Sequence, residues 1–430
     1  MFIFAKHYDL RNHNSCKMCK FSIFTFILLK LYPFFMYVNE DNQKINKRDI
    51  FHDTYKPWKF PISYRIEKEL QFRGTVIKKA LHEIQSNTCI QFYENITLVN
   101  DTQGIVFRKS SEDCSSGLGL VYSNQTQIIH LTDECSKSKG VVLHEVGHAL
   151  GLVHEQSRTD RDKYVIVYKN YIKESDYVYF KIQNHTDFKN FSTGYDYGSV
   201  MHYAPYDFST SYWHKALTSK LHIAYDKMMG QRSYMSFNDY KKINFAYCNK
   251  CNNTTTTKKI KEKNKEKVNG KENKKGNKNE TENTIQCLNG GYFHYDNCTK
   301  CICSFGYTGD LCNRIVESSK ECNTTKFNAT SKMFYHWIAG PYKCYFYLTA
   351  QKRKKIQIVI YYSSAPYKDV CTEDISHQIK YLKDKGSTGL LLCSWHRDIV
   401  NVTSENNKAL IFFNGNTDNA LIQFGFREVD

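Results

Sequence analysis

Apolar residues follow several rhythms along the chain. Over Thr75–Ser86 (TVIKKALHEIQS) they fall at Val76, Ile77, Ala80, Leu81 and Ile84. That three-and-four spacing marks one face of a helix turned toward a core. The runs GIVFRKS (104–110) and TQIIHLT (126–132) are short and β-branched, and they predict strands. Further on, KIQIVIYY (355–362) and KALIFF (408–413) predict strands of a β-sandwich. One long apolar stretch, FSIFTFILLKLYPFFMYV (Phe21–Val38), carries a single charge at Lys30 and follows Lys6, Arg11, Lys17 and Lys20. A basic segment leading into an apolar one reads as a secretory signal, and its length also permits an uncleaved anchor.

At 430 residues the chain is too long for one ordinary domain. The patterning divides it into a signal or anchor at 1–38 and a short propeptide at 39–48 (NEDNQKINKR), ending in the processing pair Lys47-Arg48. A first large domain, 49–248, mixes strands and helix. A tract at 252–283 of Asn, Thr, Lys and Glu lacks the apolar side chains to fold and reads as a linker. A small cysteine-dense module follows at 287–312, then a strand-rich domain at 322–430.

The formal net charge of +17 invites a nucleic-acid reading. Much of the excess, however, comes from Lys258–Lys278 (KKIKEKNKEKVNGKENKKGNK), a solvated run within the linker, so no nucleic-acid partner is expected. Sixteen cysteines are present. With Cys16 and Cys19 assigned to the leader, an even number remains, as suits disulfides in an oxidising compartment. Sequons at Asn95, Asn124, Asn184, Asn323 and Asn401 agree with export and glycosylation.

The chemistry concentrates in HEVGHALGLVHEQSRTDRD (144–162). His144 and His148, four apart on a helix, point to one side and can hold one ion. Gly151 permits the left-handed turn that ends a helix, after which His154 returns as a third ligand. Three neutral imidazoles around a zinc ion leave an open position for water, and Glu145 stands one step round as a proton acceptor and donor. That combination suits peptide hydrolysis. The extended His-Glu-x-x-His-x-x-Gly-x-x-His pattern is far more specific than its first five residues. His130, His185, His202, His214 and His222 read as ordinary histidines.

With a second segment, YDYGSVMHY (195–203), this motif resembles the astacin metalloendopeptidases, a metzincin family. The resemblance implies an α+β zincin domain over 49–248 with one zinc. It implies that Met201 forms an apolar floor under the histidines, and that Tyr203 is both a switchable metal ligand and a donor to the developing oxyanion. It implies that Glu155 meets the buried amino terminus of the mature enzyme, here Asp49 if cleavage follows Arg48. Arg158, Asp160, Arg161 and Asp162 are expected to brace that region, and Lys215 is a candidate cation for acidic substrate side chains. The family's pairing would join Cys89–Cys248 and Cys114–Cys135. One departure stands out: 39–48 lacks the aspartate-bearing motif that caps the zinc in the family's prosegments.

The segment ending in SFGYTGDLC resembles an EGF-like module once Cys251 is included, implying Cys251–Cys298, Cys287–Cys301 and Cys303–Cys312. Residues 322–430 resemble a CUB domain, implying Cys322–Cys344 and Cys371–Cys393. No acidic lead-in precedes the EGF-like module, so no calcium is assigned to it, and no acidic residue lies between Cys322 and Cys344, where a CUB calcium site needs them. The order resembles that of secreted nematode astacins, and the implied partners are extracellular proteins: matrix, cuticle or egg envelope. The rival reading is a non-catalytic adhesion protein working through its EGF-like and CUB modules.

Overall fold

The computed structural model describes residues 2–5, 50–51, 58–183, 188–189, 193–248, 251 and 286–430. The apolar stretch 21–38, the segment 39–48, Asp49, His185 and the tract 252–283 lie outside the described residues.

The first unit is built on a six-stranded sheet. Its strands are β1 (Phe2–Ala5), β3 (Ile62–Ile66), β4 (Phe92–Glu94), β5 (Gly104–Lys109), β6 (Cys114–Gly117) and β7 (Thr126–Leu131). A two-residue β2 (Ile50–Phe51) pairs elsewhere, with Phe188–Lys189. The sheet order is β1-β6-β7-β5-β3-β4. β4, β3, β5 and β7 run parallel, whereas β6 is antiparallel to β7. The backbone of β1 pairs antiparallel with β6, from Phe2 opposite Gly117 to Ala5 opposite Cys114.

Helix α1 (Gly74–Asn87) buries Ile77, Ala80, Leu81 and Ile84, with Val76 packed at the margin. These are the apolar positions of the 75–86 pattern. They share a core with Ile105, Phe107, Ile129 and Leu131 of the sheet and with Val142, Leu143 and Val146 of α2 (Lys139–Ala149). α2 starts at Ser138, whose hydroxyl accepts the Val141 N–H. Almost all of α2 is buried, so its orphan carbonyls need partners. The Trp58 indole donates to Ala149 O at 2.9 Å, the Tyr247 hydroxyl to Leu150 O at 2.9 Å, and the N–H of Gly119 to His148 O at 2.8 Å. Helix α3 (Phe237–Tyr247) opens with a reciprocal cap between Ser236 and Asp239.

Two bonds tie this unit, Cys89–Cys248 and Cys114–Cys135. Segment 286–317 is held by Cys251–Cys298, Cys287–Cys301 and Cys303–Cys312, and has only two-residue strands. Residues 322–430 form two five-stranded sheets with Cys322–Cys344 and Cys371–Cys393. Phe346, Leu348, Ile411 and Phe413 of one sheet and Ile358, Ile360, Phe424 and Phe426 of the other share a single core. That core is continuous with Tyr197, Tyr225 and Met228 of the first unit, so the sandwich packs directly onto it. Among the described residues no helix is long and apolar enough to cross a membrane.

Candidate metal centre

Helix periodicity places His144 and His148 side by side on α2, and both are fully buried. Gly151 adopts φ +94°, a conformation that costs a glycine little, and the chain turns back to bring His154 alongside. The Nε2 atoms of the three rings converge: His148 lies 3.1 Å from His144 and 3.1 Å from His154, and His144 and His154 are 3.3 Å apart.

The second ring nitrogens explain how two of these rings are aimed. His144 Nδ1 lies 2.8 Å from Val200 O, and His148 Nδ1 lies 2.8 Å from Leu152 O. A carbonyl only accepts, so each Nδ1 carries the proton and each Nε2 presents a lone pair to the shared centre. Burial holds both imidazoles below their ordinary pKa, His148 at about 4, so they stay neutral. Lone pairs facing one another repel unless a cation lies between them. Ligand nitrogens about 2.0–2.1 Å from a tetrahedral zinc ion would stand about 3.3 Å apart, so the trio fits that ion. Among the described residues this is the one cluster of three or more His, Cys, Asp or Glu able to hold a metal.

Glu145, next to His144 on α2, is fully buried. Neither carboxylate oxygen has a hydrogen-bond partner, and burial pushes its pKa up to about 8, against the pull of Arg232. A buried carboxylate left unsatisfied costs free energy. This one therefore sits where a water or substrate group would satisfy it.

Beneath the trio runs Ser199–Tyr203. Gly147 brings α2 so close that a Cβ there would lie 3.0 Å from Met201 Sδ. Tyr203 is 2 % exposed, packs its ring at a tilt with its centroid 4.4 Å from that of His154, and has no partner for its hydroxyl. The backbone of Tyr203 is held on both sides: its N–H donates to Gln156 Oε1 at 3.1 Å, and its carbonyl accepts from His202 Nδ1 at 2.7 Å. With that proton on Nδ1, His202 Nε2 accepts from the Tyr195 hydroxyl at 2.8 Å. His202 is thus a buried strut, not part of the convergent trio.

Glu155 occupies a second buried polar centre. It accepts from Lys242 Nζ at 2.7 Å, from the Asp196 N–H at 2.9 Å and from Arg158 Nη1 at 3.3 Å. Burial alone would raise its pKa, but Lys242 and Arg158 outweigh burial and hold it below the usual carboxylate range. Arg158 also forms a two-pronged pair with Asp160 at 2.9 and 3.0 Å, and Arg161 donates to Gln156 O and Phe180 O. These braces fix the chain just after His154. Asp162 differs: it meets Arg161 at 2.7 Å but leaves most of its side chain in solvent. Lys215 is already engaged with Asp226 at 2.8 Å, so it is not a spare cation for substrate.

Sequence reasoning missed two cations. Lys242 sits on the buried face of α3 beside Asp239 and Ile243, and a lysine on an otherwise buried helix face was the available signal. Arg232 donates to His202 O at 3.0 Å, and its charge acts on Glu145, His144 and Tyr203. Nothing local to GQRSY (230–234) announces that.

Residues 51–248 match the family model described as astacin, a family of peptidases. The zinc metalloproteinase nas-36 of Brugia malayi is 31% identical over 375 residues, covering 84% of this chain and 58% of that protein. The zinc metalloproteinase nas-34 of Caenorhabditis elegans is 28% identical over 370 residues, covering 86% and 55%. The chain thus spans little more than half the length of these relatives. Among solved structures, the medaka hatching enzyme HCE-1, a zinc protease, is 29% identical and covers 46% of this chain and 97% of its own, with a TM-score of 0.41.

Proposed function

Because the chain belongs to the astacin family of peptidases through residues 51–248, we propose that it is a zinc-dependent endopeptidase with His144, His148 and His154 as the metal ligands. The observation that carries this is the convergence of three Nε2 atoms within 3.3 Å, with an unsatisfied Glu145 carboxylate beside them. A zinc ion there supplies Lewis acidity, polarising a carbonyl and making nearby water easier to deprotonate.

The chain's own residues do the rest. Val200 O and Leu152 O keep two imidazoles in the tautomer that offers Nε2. An Oε atom of Glu145 takes the proton from the attacking water and delivers it to the leaving amine nitrogen. The Tyr203 hydroxyl, orphaned in the structure, donates to the oxygen on which negative charge develops and can also approach the metal. Met201 closes the floor against α2 and excludes water.

The same reading makes 287–312, with Cys251, an EGF-like module and 322–430 a CUB domain. It makes the protein secreted and its substrates extracellular matrix, cuticle or egg-envelope proteins. A purely adhesive role is disfavoured, because the full set of metal-binding and proton-transfer groups is assembled.

Glu145→Gln in the full chain tests the assignment. Casein cleavage is expected to fall about a thousandfold or more while one zinc per chain is retained. Undiminished cleavage, or a folded protein without metal affinity, overturns it.

A further inference from the structure

Away from the metal centre, the junction of segment 286–317 with the β-sandwich holds an open cleft of about 1100 Å³. Its charge is lopsided. Arg314, Lys326, Lys383, Lys385 and Lys408 line it, against one carboxylate, Glu317. The cations come from separate elements: Arg314 from the cysteine-dense segment, Lys326 from the strand Lys326–Asn328, Lys383 and Lys385 from the loop before Leu390–Leu392, and Lys408 from the head of Lys408–Asn414. Folding has gathered them.

Arg314, Lys326, Lys383 and Lys408 are exposed, and none forms an ion pair among the described residues. The nearby carboxylate Glu405 is turned to the Lys383 backbone N–H at 2.5 Å. Lys385 is buried, and its ammonium donates to Leu382 O and Lys408 O. Burial, and then the like charge of Lys380, push its pKa down to about 7 against the pull of Glu405 and Asp384. Gathering four exposed basic side chains around one cavity that a single carboxylate lines costs electrostatic energy, which a bound polyanion would repay.

We infer that this cleft binds a sulfated polysaccharide chain. The cavity is far larger than a single sulfate, and its cations come from several separate elements. Asn313 and the amide nitrogen of Asn406 are suited to sugar hydroxyls, whereas Asn289 Nδ2 already donates to Cys312 O at 2.8 Å. Tyr347 is the one aromatic side chain in the lining, so the series of stacking rings that single-stranded nucleic acid uses is missing. Such binding would anchor the protein to an anionic extracellular coat through a surface separate from the metal centre, and it does not depend on the peptidase reading.

The test is binding of the full chain to heparin, measured by calorimetry at rising salt. The probes alongside it are an unsulfated polysaccharide of the same backbone type and a single-stranded oligonucleotide of matched charge. The double variant Lys326→Glu, Lys408→Glu is expected to bind heparin at least tenfold more weakly, with unchanged thermal unfolding and casein cleavage. The unsulfated chain should bind at least tenfold more weakly than heparin. In a second readout on the unaltered protein, bound heparin should protect Lys326, Lys383 and Lys408 from amine acetylation. Unchanged affinity in the variant, protection confined to lysines of 258–278, or equal affinity for the oligonucleotide would each overturn the inference.

Discussion

Asp384 of the β-sandwich accepts the backbone N–H of Gly194 at 2.7 Å, across 190 residues of sequence. The same Oδ2 takes a bond from Asn238 Nδ2 at 3.1 Å, and the Thr388 N–H reaches Asp196 Oδ1 at 3.1 Å. Contact is close enough that a Cβ at Gly194 would lie 2.8 Å from Ser387 Oγ, and one at Gly198 would lie 2.7 Å from Thr388 Oγ1. The loop 383–388 therefore clamps the turn that leads to Val200 and Met201. The sandwich is part of the support under the metal centre.

Removing that clamp should be felt in both stability and activity. Asp384→Ala leaves the Gly194 N–H and the Asn238 amide without their charged acceptor, a loss of about 2–4 kcal/mol. Thermal unfolding should shift downward accordingly. The kcat for a peptide substrate should fall several-fold at unchanged zinc content, because Val200 O no longer holds His144 as firmly.

The Lys242–Glu155 pair, 4% and 1% exposed, is a buried ion pair that shares its carboxylate with Arg158. Lys242→Met strands part of a buried negative charge and should cost about 3–5 kcal/mol. The double variant Lys242→Met, Glu155→Gln removes both charges and should recover part of that loss. Chemical denaturation of the two singles and the double, as a double-mutant cycle, gives the coupling. Additive single effects would mean that the pair contributes nothing as a pair.

Tyr203→Phe keeps the ring against His154 and Phe180 and deletes only the orphan hydroxyl. If that hydroxyl meets the developing oxyanion, kcat drops about a hundredfold with KM nearly unchanged and the fold intact. Steady-state kinetics on a fluorogenic peptide decides it. An unaltered kcat would remove Tyr203 from the reaction.

Acid should unfasten the sandwich through His377. Its Nε2 faces Ser364 O at 2.9 Å, and its Nδ1 accepts the Asn414 N–H at 3.0 Å. This neutral tautomer satisfies both neighbours, whereas a proton on Nδ1 would break the second bond. Burial holds the pKa at about 4, against about 6.5 for an unfolded histidine. Between those values the unfolded chain binds more protons, so stability rises with pH across that window. It is complete above pH 6.5 and should decline by about 3 kcal/mol as pH falls toward 4. Denaturant unfolding of wild type and His377→Gln from pH 7 to 4 checks this: the variant should show a shallower loss.

What could be read locally was read locally. The helical spacing over 75–86 and at His144 and His148, with the glycine that ends α2, depends on backbone geometry over a few residues. Such geometry does not wait for a fold. His154 and Glu145 follow from the same short segment.

The long-range partners are a different matter. Val200 O orients His144 from 56 residues away, Lys242 meets Glu155 from 87 residues away, and Asp384 clamps Gly194 from another domain. No periodicity marks these residues, because a lysine or aspartate has the same local propensities whether its charge ends in water or in a buried pair. The cationic cleft is likewise scattered over Arg314 to Lys408. The amino-acid sequence by itself determined which groups could bind a metal and move a proton. Only the tertiary structure decided which charges are desolvated together, since burial and distance, not residue type, set the strength of those interactions.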